Sequence, residues 1–426
     1  MKVAIAWYGA EGQASYEYYV KLGHDVTIVT PQVSPDFPLP PSAKSLVGPD
    51  AFDHLSGFDI VVRSAGVAPS RLKTDGKIWS ATNEFFARCS APIIGVTGTK
   101  GKGTTSSLIA SILQAAGCSV HLVGNIGVPP LALLDTITTH DIVVFELSSF
   151  QLWDIERSPH IAVALMIEPD HLNVHKDMDD YVAAKANIVR YQQPADITIW
   201  NPHNVITDSF AARTKAQPVP YMTPAGAYPQ DGYFWLRDQR LCPLTVLQLP
   251  GAHNIENACA AITAASYYVG GNLAQAVQDG LAAFTGLPHR LKFVASKRGV
   301  KYYDDSIATT PGSAIAALHS FDGPKVIILG GESKGASYDN VIAAAKQTGA
   351  KIIAVGQVGR AITSAAQAAS VPVEYVDGLM EQVVAAAAGT ASGEGVVLLS
   401  PAATSFDQYK NYADRGNQFA AAVQAL

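Results

Sequence analysis

The sequence predicts an α/β protein built from three consecutive domains, and three observations predict it. The chain has 426 residues, too many for a single hydrophobic core. Short apolar runs alternate with helix-length stretches along its whole length, the order that builds parallel sheets covered by helices. Near residue 93 one apolar run ends in a glycine-rich turn that opens directly into a helix-forming stretch, the order of a phosphate cradle. A composition of 48% hydrophobic and 15% charged residues is that of a globular chain. The expected boundaries are 1–91, 92–286 and 287–426.

Residues 2–7 read as a first strand, and Gly9 and Gly12 follow it. An aromatic helix runs to Leu22, with Gly23 as its stop, and residues 25–30 form the second strand. This is βαβ order with a glycine turn. Trp7 stands where the first glycine of a dinucleotide fingerprint belongs, however. The second strand also ends at Thr30 without the acidic residue that grips a ribose. Classical NAD binding is therefore a poor match, and a Rossmann-like half for another nucleotide stays open. Prolines 35, 38, 40 and 41 mark a loop, and residues 59–63 form a strand that leads into a turn containing Gly66.

The central domain opens on the phosphate loop Gly98-Thr99-Lys100-Gly101-Lys102-Gly103-Thr104, with a helix expected over 106–116. Bare N–H groups and the helix N-terminus face the anion, Lys102 supplies a point charge, and a hydroxyl can reach Mg2+. The spacing is not a strict Walker pattern: Gly98 and Gly101 are too close, and Gly103 follows the lysine, so Thr104 becomes the candidate hydroxyl. The bland alternative is an ordinary glycine-rich turn. Asn125 lies in a turn after a strand, Glu146 stands at the end of a strand over 141–145, and Ser148 follows it. A strand over 161–167 delivers His171 to the same edge, where open α/β sheets hold ligands. A helix over 178–190 carries Lys185 among apolar neighbours. A strand-end carboxylate beside a phosphate loop is a natural Mg2+ ligand, and His171 could serve a second ion or orient a phosphate. Each has a plain reading too: surface charge, structural histidine, solvated lysine. Residues 232–249 read as short β structure, and helices follow over 254–268 and 273–284. Asn254 and Asn257, one helical turn apart, could read a purine edge or cap the helix.

In the third domain, strands over 300–304, 325–329, 351–355 and 396–399 alternate with alanine-rich helices, again a parallel-sheet pattern. A net charge of −6 argues against nucleic-acid binding. Cys89, Cys118, Cys242 and Cys259 are scattered, which fits a reducing compartment and no zinc site. No apolar run reaches the ~18 residues of a membrane span, and residues 1–10 read as a strand rather than a signal peptide. A cytoplasmic location is expected, with no membrane partner.

Several stretches together resemble one family. Residues 97–102, Gly124-Asn125-Ile126-Gly127, residues 146–151, Asp170-His171-Leu172, Ala183-Ala184-Lys185 and Gly251-Ala252-His253-Asn254 are similar to the Mur ligases of peptidoglycan synthesis. These are three-domain ATP-dependent amide ligases related to folylpolyglutamate synthase. Residues 284–290, Asp304-Asp305-Ser306 with Thr309, and 400–416 resemble the branch that adds D-glutamate. The resemblance is close over the central and C-terminal domains and loose over 1–91.

It implies a Rossmann-like domain for the UDP moiety, a central P-loop ATPase-like domain and a Rossmann-like C-terminal domain for the amino acid. The implied reactants are ATP, UDP-N-acetylmuramoyl-L-alanine and D-glutamate, with a monomeric enzyme. Two Mg2+ ions are implied, held by Thr104, Glu146, His171 and a carbamylated Lys185. Lys102 and Arg290 would neutralise the transferring phosphoryl group, Asn254 and Asn257 would face adenine, and Asp305 the ATP ribose. Gly9, Gly12, Thr30 and Gly66 would approach the UDP end. Asn125, Ser148 and His171 would approach the muramoyl substrate, and Thr309, Lys334, Ser405 and Tyr412 the D-glutamate. Two residues depart from the pattern: Gly103 matches the folate relatives, and Ile307 replaces a lysine of many members. The alternatives are a folylpolyglutamate synthase-like ligase and a nucleotide-binding regulatory protein without turnover. Retention of Glu146, His171, Lys185 and Arg290 together argues against the latter.

Overall fold

Strand runs rich in Val, Ile and Ala with almost no charge suit strands buried on both faces, the setting of a parallel sheet. The computed structural model, which describes every residue except Ile126, Lys334 and Ser392, has this arrangement. Val3, Ala4, Ile5 and Ala6 are all fully buried in the first strand. The chain divides into two compact units, 1–247 with 253–284, and 248–252 with 285–426.

The first unit holds two parallel sheets. One comprises β1 (Lys2–Ala6), β2 (Asp25–Thr30), β3 (Lys44–Val47), β4 (Ile60–Arg63) and β5 (Lys77–Ser80), in the order β3-β2-β1-β4-β5. The other comprises β6 (Ile93–Thr97), β7 (Val120–Gly124), β8 (Ile142–Glu146), β9 (Ile161–Ala164), β10 (Ile197–Trp200) and β11 (Gln217–Pro220), in the order β11-β10-β9-β6-β8-β7. The short β structure expected over 232–249 is an antiparallel sheet of β12 (Ala227–Gln230), β13 (Tyr233–Leu236) and β14 (Gln239–Pro243). Both parallel sheets belong to one unit because polar side chains bridge them. Arg63, fully buried at the end of β4, donates from Nε to Asp154 at 2.7 Å and from Nη2 to the Phe150 carbonyl at 2.7 Å. Asn83 bonds the backbone of Asp154 and Glu156. Phe145 of β8 packs edge-on to Phe85, with ring centroids 5.6 Å apart.

In the second unit, β15 (Lys292–Lys297) runs antiparallel to β16 (Val300–Asp304) at one edge. β17 (Lys325–Gly330), β18 (Lys351–Val355), β19 (Val373–Val376) and β20 (Val396–Leu399) complete the sheet in the order β15-β16-β20-β17-β18-β19, parallel beyond that edge. Among the described residues the four cysteines are free, and no helix is long and apolar enough to cross a membrane.

Candidate active site

β6 is flanked by β8 and β9, and all five of its residues are buried. At its C-terminal end the chain turns through Gly98 and Gly101, whose φ values of 158° and 82° are open mainly to glycine. Gly101 caps a helix that starts at Lys102, four residues earlier than expected, and runs to Ala115. The left-handed glycine completes the turn, so Lys102 already lies in the helix. Thr99 is pinned from both sides. Its N–H donates to the Met166 carbonyl at 2.9 Å, and its hydroxyl meets the Glu168 N–H and the Tyr181 hydroxyl at 3.0 Å each. Lys102 Nζ donates to the Gly98 and Thr99 carbonyls at 3.1 Å, so it lies folded on its own loop. Lys100 is exposed, while Gly103 and Thr104 are buried.

Asn254 and Asn257 underlie this loop. Their helix is Ala252–Ala265, so Asn254 lies inside its first turn and is not its cap. The Asn257 Oδ1 accepts from the Thr105 hydroxyl at 3.3 Å, and its Nδ2 donates to Asn254 Oδ1 at 3.2 Å. Both amides are buried and brace the loop. A Cβ added to Gly101 would stand 2.3 Å from Asn257 Oδ1. Gly101→Ala is therefore expected to cost about 1–2 kcal/mol from the left-handed backbone alone. It should also weaken nucleotide affinity, because Asn257 must move. Thermal unfolding and ATP titration check this.

Glu146 is the last residue of β8, paired with Val96 and Gly124, and is only 3% exposed. It is part of the strand and not a surface charge. Asn125 is tied to it, by N–H to the Glu146 carbonyl at 3.1 Å and by Nδ2 to Oε1 at 3.4 Å. Ser148 caps the short helix Ser149–Leu152 in a reciprocal box with Gln151.

Lys185 sits on the helix Met178–Arg190 and is 2% exposed. Its Nζ donates to the Gly98 carbonyl at 2.8 Å and lies 4.8 Å from the Tyr181 ring centroid. Burial, aided by the nearby Lys102 charge, holds its ammonium well below the ordinary lysine range, against the pull of Asp170 and Glu146. The solvated-lysine reading is excluded. His171 adopts φ 56°, and its ring packs 4.9 Å from that of Phe150. Burial and the charges of Lys102 and Lys185 lower its pKa, against Asp170. Lys102, Lys185, Glu146, Asp170 and His171 thus act on one another at one strand edge.

Among the described residues no group of three or more His, Cys, Asp or Glu could hold a metal ion. The donor set still fits Mg2+, which needs few protein oxygens when nucleotide phosphates and water complete its shell. Glu146 offers one such carboxylate and Thr104 one hydroxyl.

Sequence reasoning missed His175. It is 2% exposed and bridges Asp180 Oδ2 at 2.8 Å and Ser149 Oγ at 3.0 Å, stacked on Phe150. No spacing rule marks it. Tyr181 could have been found, because it precedes Lys185 by one helical turn.

At the first sheet, Gly9 caps the helix Ala10–Lys21. Gly12 is required by close approach, since a Cβ there would lie 2.2 Å from the Trp7 carbonyl oxygen. Trp7 itself takes φ 79°, the conformation the missing glycine would have supplied. Thr30 corrects the expectation of an available contact: it is fully buried and its hydroxyl donates to the Gln32 carbonyl at 2.8 Å. Gly66 is exposed, with open space where a Cβ would be.

In the second unit, the Arg290 side chain is exposed. Asp305 is buried. Its carboxylate accepts from the Ser400 hydroxyl at 2.7 Å and from the Leu291 N–H at 3.2 Å, and burial pushes its pKa up to about 7. It ties the loop after β16 to the end of β20. Ser405 is buried, and Asn411, not Ser405, caps the last helix, Tyr412–Gln424. Thr309 is partly buried, and Tyr412 is 41% exposed at the start of that helix. Lys334 lies outside the described residues. Arg415, also missed, organises these loops. It is 2% exposed and donates to Ser306 Oγ and O at 2.9 Å and to the Thr404 and Ala403 carbonyls at 3.2 Å.

Comparison with known proteins gives two family matches, the Mur ligase middle domain over residues 96–265 and the Mur ligase glutamate ligase domain over residues 289–403. The chain is 39% identical to the UDP-N-acetylmuramoylalanine–D-glutamate ligase of Symbiobacterium thermophilum, over 79% of this chain and 76% of that one. It is 34% identical to the enzyme of the same name from Acetivibrio thermocellus, over 100% of this chain and 96% of that one. Among solved structures, the UDP-N-acetylmuramate–alanine ligase of Thermotoga maritima superposes with a TM-score of 0.60 at 18% identity, covering 100% of this chain and 99% of that one. That likeness concerns the fold alone.

Proposed function

Because the chain belongs to the Mur ligase family, we propose that it joins D-glutamate to UDP-N-acetylmuramoyl-L-alanine at the expense of ATP, in peptidoglycan precursor synthesis. The observation that carries this reading is the buried Lys185 amine, 2.8 Å from the Gly98 carbonyl of the phosphate loop and within the fields of Lys102 and Glu146. A hydrophobic core has no use for such a group there.

The labour divides among residues 1–91, a Rossmann-like UDP-binding domain, 92–286, the P-loop ATP-binding domain, and 287–426, a Rossmann-like domain for the amino acid. ATP lies on the loop from Gly98 to Thr104. The muramoyl substrate's carboxylate attacks the γ-phosphorus, forming an acyl phosphate and ADP, while Lys102 and Arg290 offset the phosphoryl charge. Glu146 and Thr104 would hold Mg2+, which would supply positive charge against the phosphates, and a carbamate on Lys185 would give His171 an anionic partner for a second ion. Asn125, Ser148 and His171 orient the muramoyl carboxylate. The neutral amine of D-glutamate then attacks the acyl carbon, forms the amide and expels phosphate. The substrates place the reaction in the cytoplasm, and the enzyme acts as a monomer.

The side-chain carboxylate of D-glutamate needs fixed partners to offset its desolvation. Ser405, Thr309 and Lys334 supply them, and Tyr412 packs on the aliphatic stem. Charge-assisted hydrogen bonds are worth ~1.5–3 kcal/mol, so Ser405→Ala should raise the KM for D-glutamate about tenfold and leave that for ATP nearly unchanged. Initial rates over both substrates check this. The function itself is tested by ADP release. It should require UDP-N-acetylmuramoyl-L-alanine and D-glutamate together, and ATP hydrolysis indifferent to both would refute it.

A further inference from the structure

The strand order β3-β2-β1-β4-β5 reverses beside β1, because the chain leaves β1 toward β2 on one side and reaches β4 on the other. In such sheets the ligand crevice opens beyond the carboxyl ends of the strands at the point of reversal. Two loops flank it here, the Gly9–Gly12 turn after β1 and residues 64–67 after β4. They are in contact: the Ser64 hydroxyl donates to the Trp7 carbonyl at 3.2 Å, and the Ala65 N–H donates to Glu11 Oε2 at 2.7 Å. The helix Ala10–Lys21 begins at the same place, with Glu11 in its first turn. A helix N-terminus facing a loop N–H is where an anion is stabilised, and in this chain the anion is the protein's own.

The cation behind it is already committed. Arg63 is fully buried, pairs with Asp154, and also donates to the Val67 and Phe150 carbonyls. It has no donor to spare for an incoming phosphate.

We propose that the Glu11 carboxylate is a built-in competitor for the diphosphate of the nucleotide substrate, and so sets the affinity of the first sheet for that substrate. The inference rests on the reading that residues 1–91 take the UDP moiety. A bound diphosphate shares the crevice with Glu11 or displaces it from the Ala65 N–H, and in either case meets like charge. The groups facing Glu11 are the Ala65 N–H, Arg63 and Asp154. Desolvation, helped by Asp154, raises its pKa above the ordinary glutamate range, against the Ala65 N–H and Arg63. Protonation at lower pH therefore removes the competitor.

The test is calorimetric titration of UDP-N-acetylmuramoyl-L-alanine into the full chain and its Glu11→Gln variant, from the ordinary glutamate pKa of about 4.3 up to about pH 8. Gln keeps an acceptor oxygen for the Ala65 N–H, so the loop stays tied. The variant should bind about tenfold tighter at the upper end of the range, where a like charge at short distance matters most. Wild-type affinity should rise toward the variant's as pH falls. Equal or weaker binding by a folded Glu11→Gln protein overturns the proposal and makes Glu11 a loop tie only. Wild-type ligation separates the two levels of the argument. Turnover with unchanged Glu11→Gln affinity sinks this inference alone, and absence of turnover with both substrates present sinks the underlying reading and this inference with it.

Discussion

Lys185→Ala leaves a folded protein whose ligation rate is lower by about 10²–10³, the scale of a lost electrostatic contact to a reacting centre. Lys185 is a helix residue that turns inward: it is 2% exposed, its amine is bonded to the Gly98 carbonyl, and the charge of Lys102 disfavours a second ammonium beside it. Under these conditions the neutral amine gains population, and only the neutral amine combines with CO2. The resulting anion would suit His171, whose pKa burial and the Lys102 charge lower, which favours the neutral ring that a ligand needs. Acetate or formate should therefore partly restore Lys185→Ala by filling the anion's place. Steady-state rates with and without added formate measure this. A variant with near-normal rate, or one that short-chain acids cannot rescue, would count against the carbamate.

Lys102→Ala should lose ATP turnover by a comparable or larger factor while unfolding at nearly the wild-type temperature. Lys102 is the first residue of its helix, and its ammonium folds back onto the Gly98 and Thr99 carbonyls. Truncation removes a partly solvated charge and leaves the loop's other anchors, Thr99 and Asn257, in place. Its effect on the chemistry is large because no other lysine of the loop points inward: Lys100 is exposed. Parallel measurement of ADP release and thermal unfolding separates the two effects. Near-normal ligation by folded Lys102→Ala would remove the phosphate-loop assignment.

The parts that were readable in the sequence are those with a local cause. The central strands announce themselves as apolar branched runs, β1, β2, β8, β9, β17, β18 and β20 among them, and the loop at Gly98–Thr104 by its glycines, whereas the short strands β3, β5, β10, β11 and β19 went unread. Glu146 and Lys185 were visible as candidates because an apolar strand and an alanine-rich helix deliver them. What was hidden is which partner each polar group finds. Asn257 spends its amide on Thr105, Asp305 on Ser400 and Leu291, and Thr30 on Gln32. Each is an acceptor or donor whose role depends on a neighbour that no periodicity reveals. Arg63 and Arg415 are the same case at larger scale, two arginines to which the sequence assigned no role and which lie inside the protein as hubs. Boundaries slipped for a physical reason as well. Gly101 lets the helix start four residues early.

The most direct test of the central claim is one mass-spectrometric experiment. UDP-N-acetylmuramoyl-L-alanine carrying 18O in its carboxylate is incubated with ATP, Mg2+ and a panel of amino acids that includes both glutamate enantiomers. The account predicts an amide product with D-glutamate alone and transfer of one 18O atom to the released phosphate, because the carboxylate oxygen bridges to phosphorus in the acyl phosphate. Ligation of L-glutamate or another amino acid at a similar rate, or phosphate free of label, would contradict it.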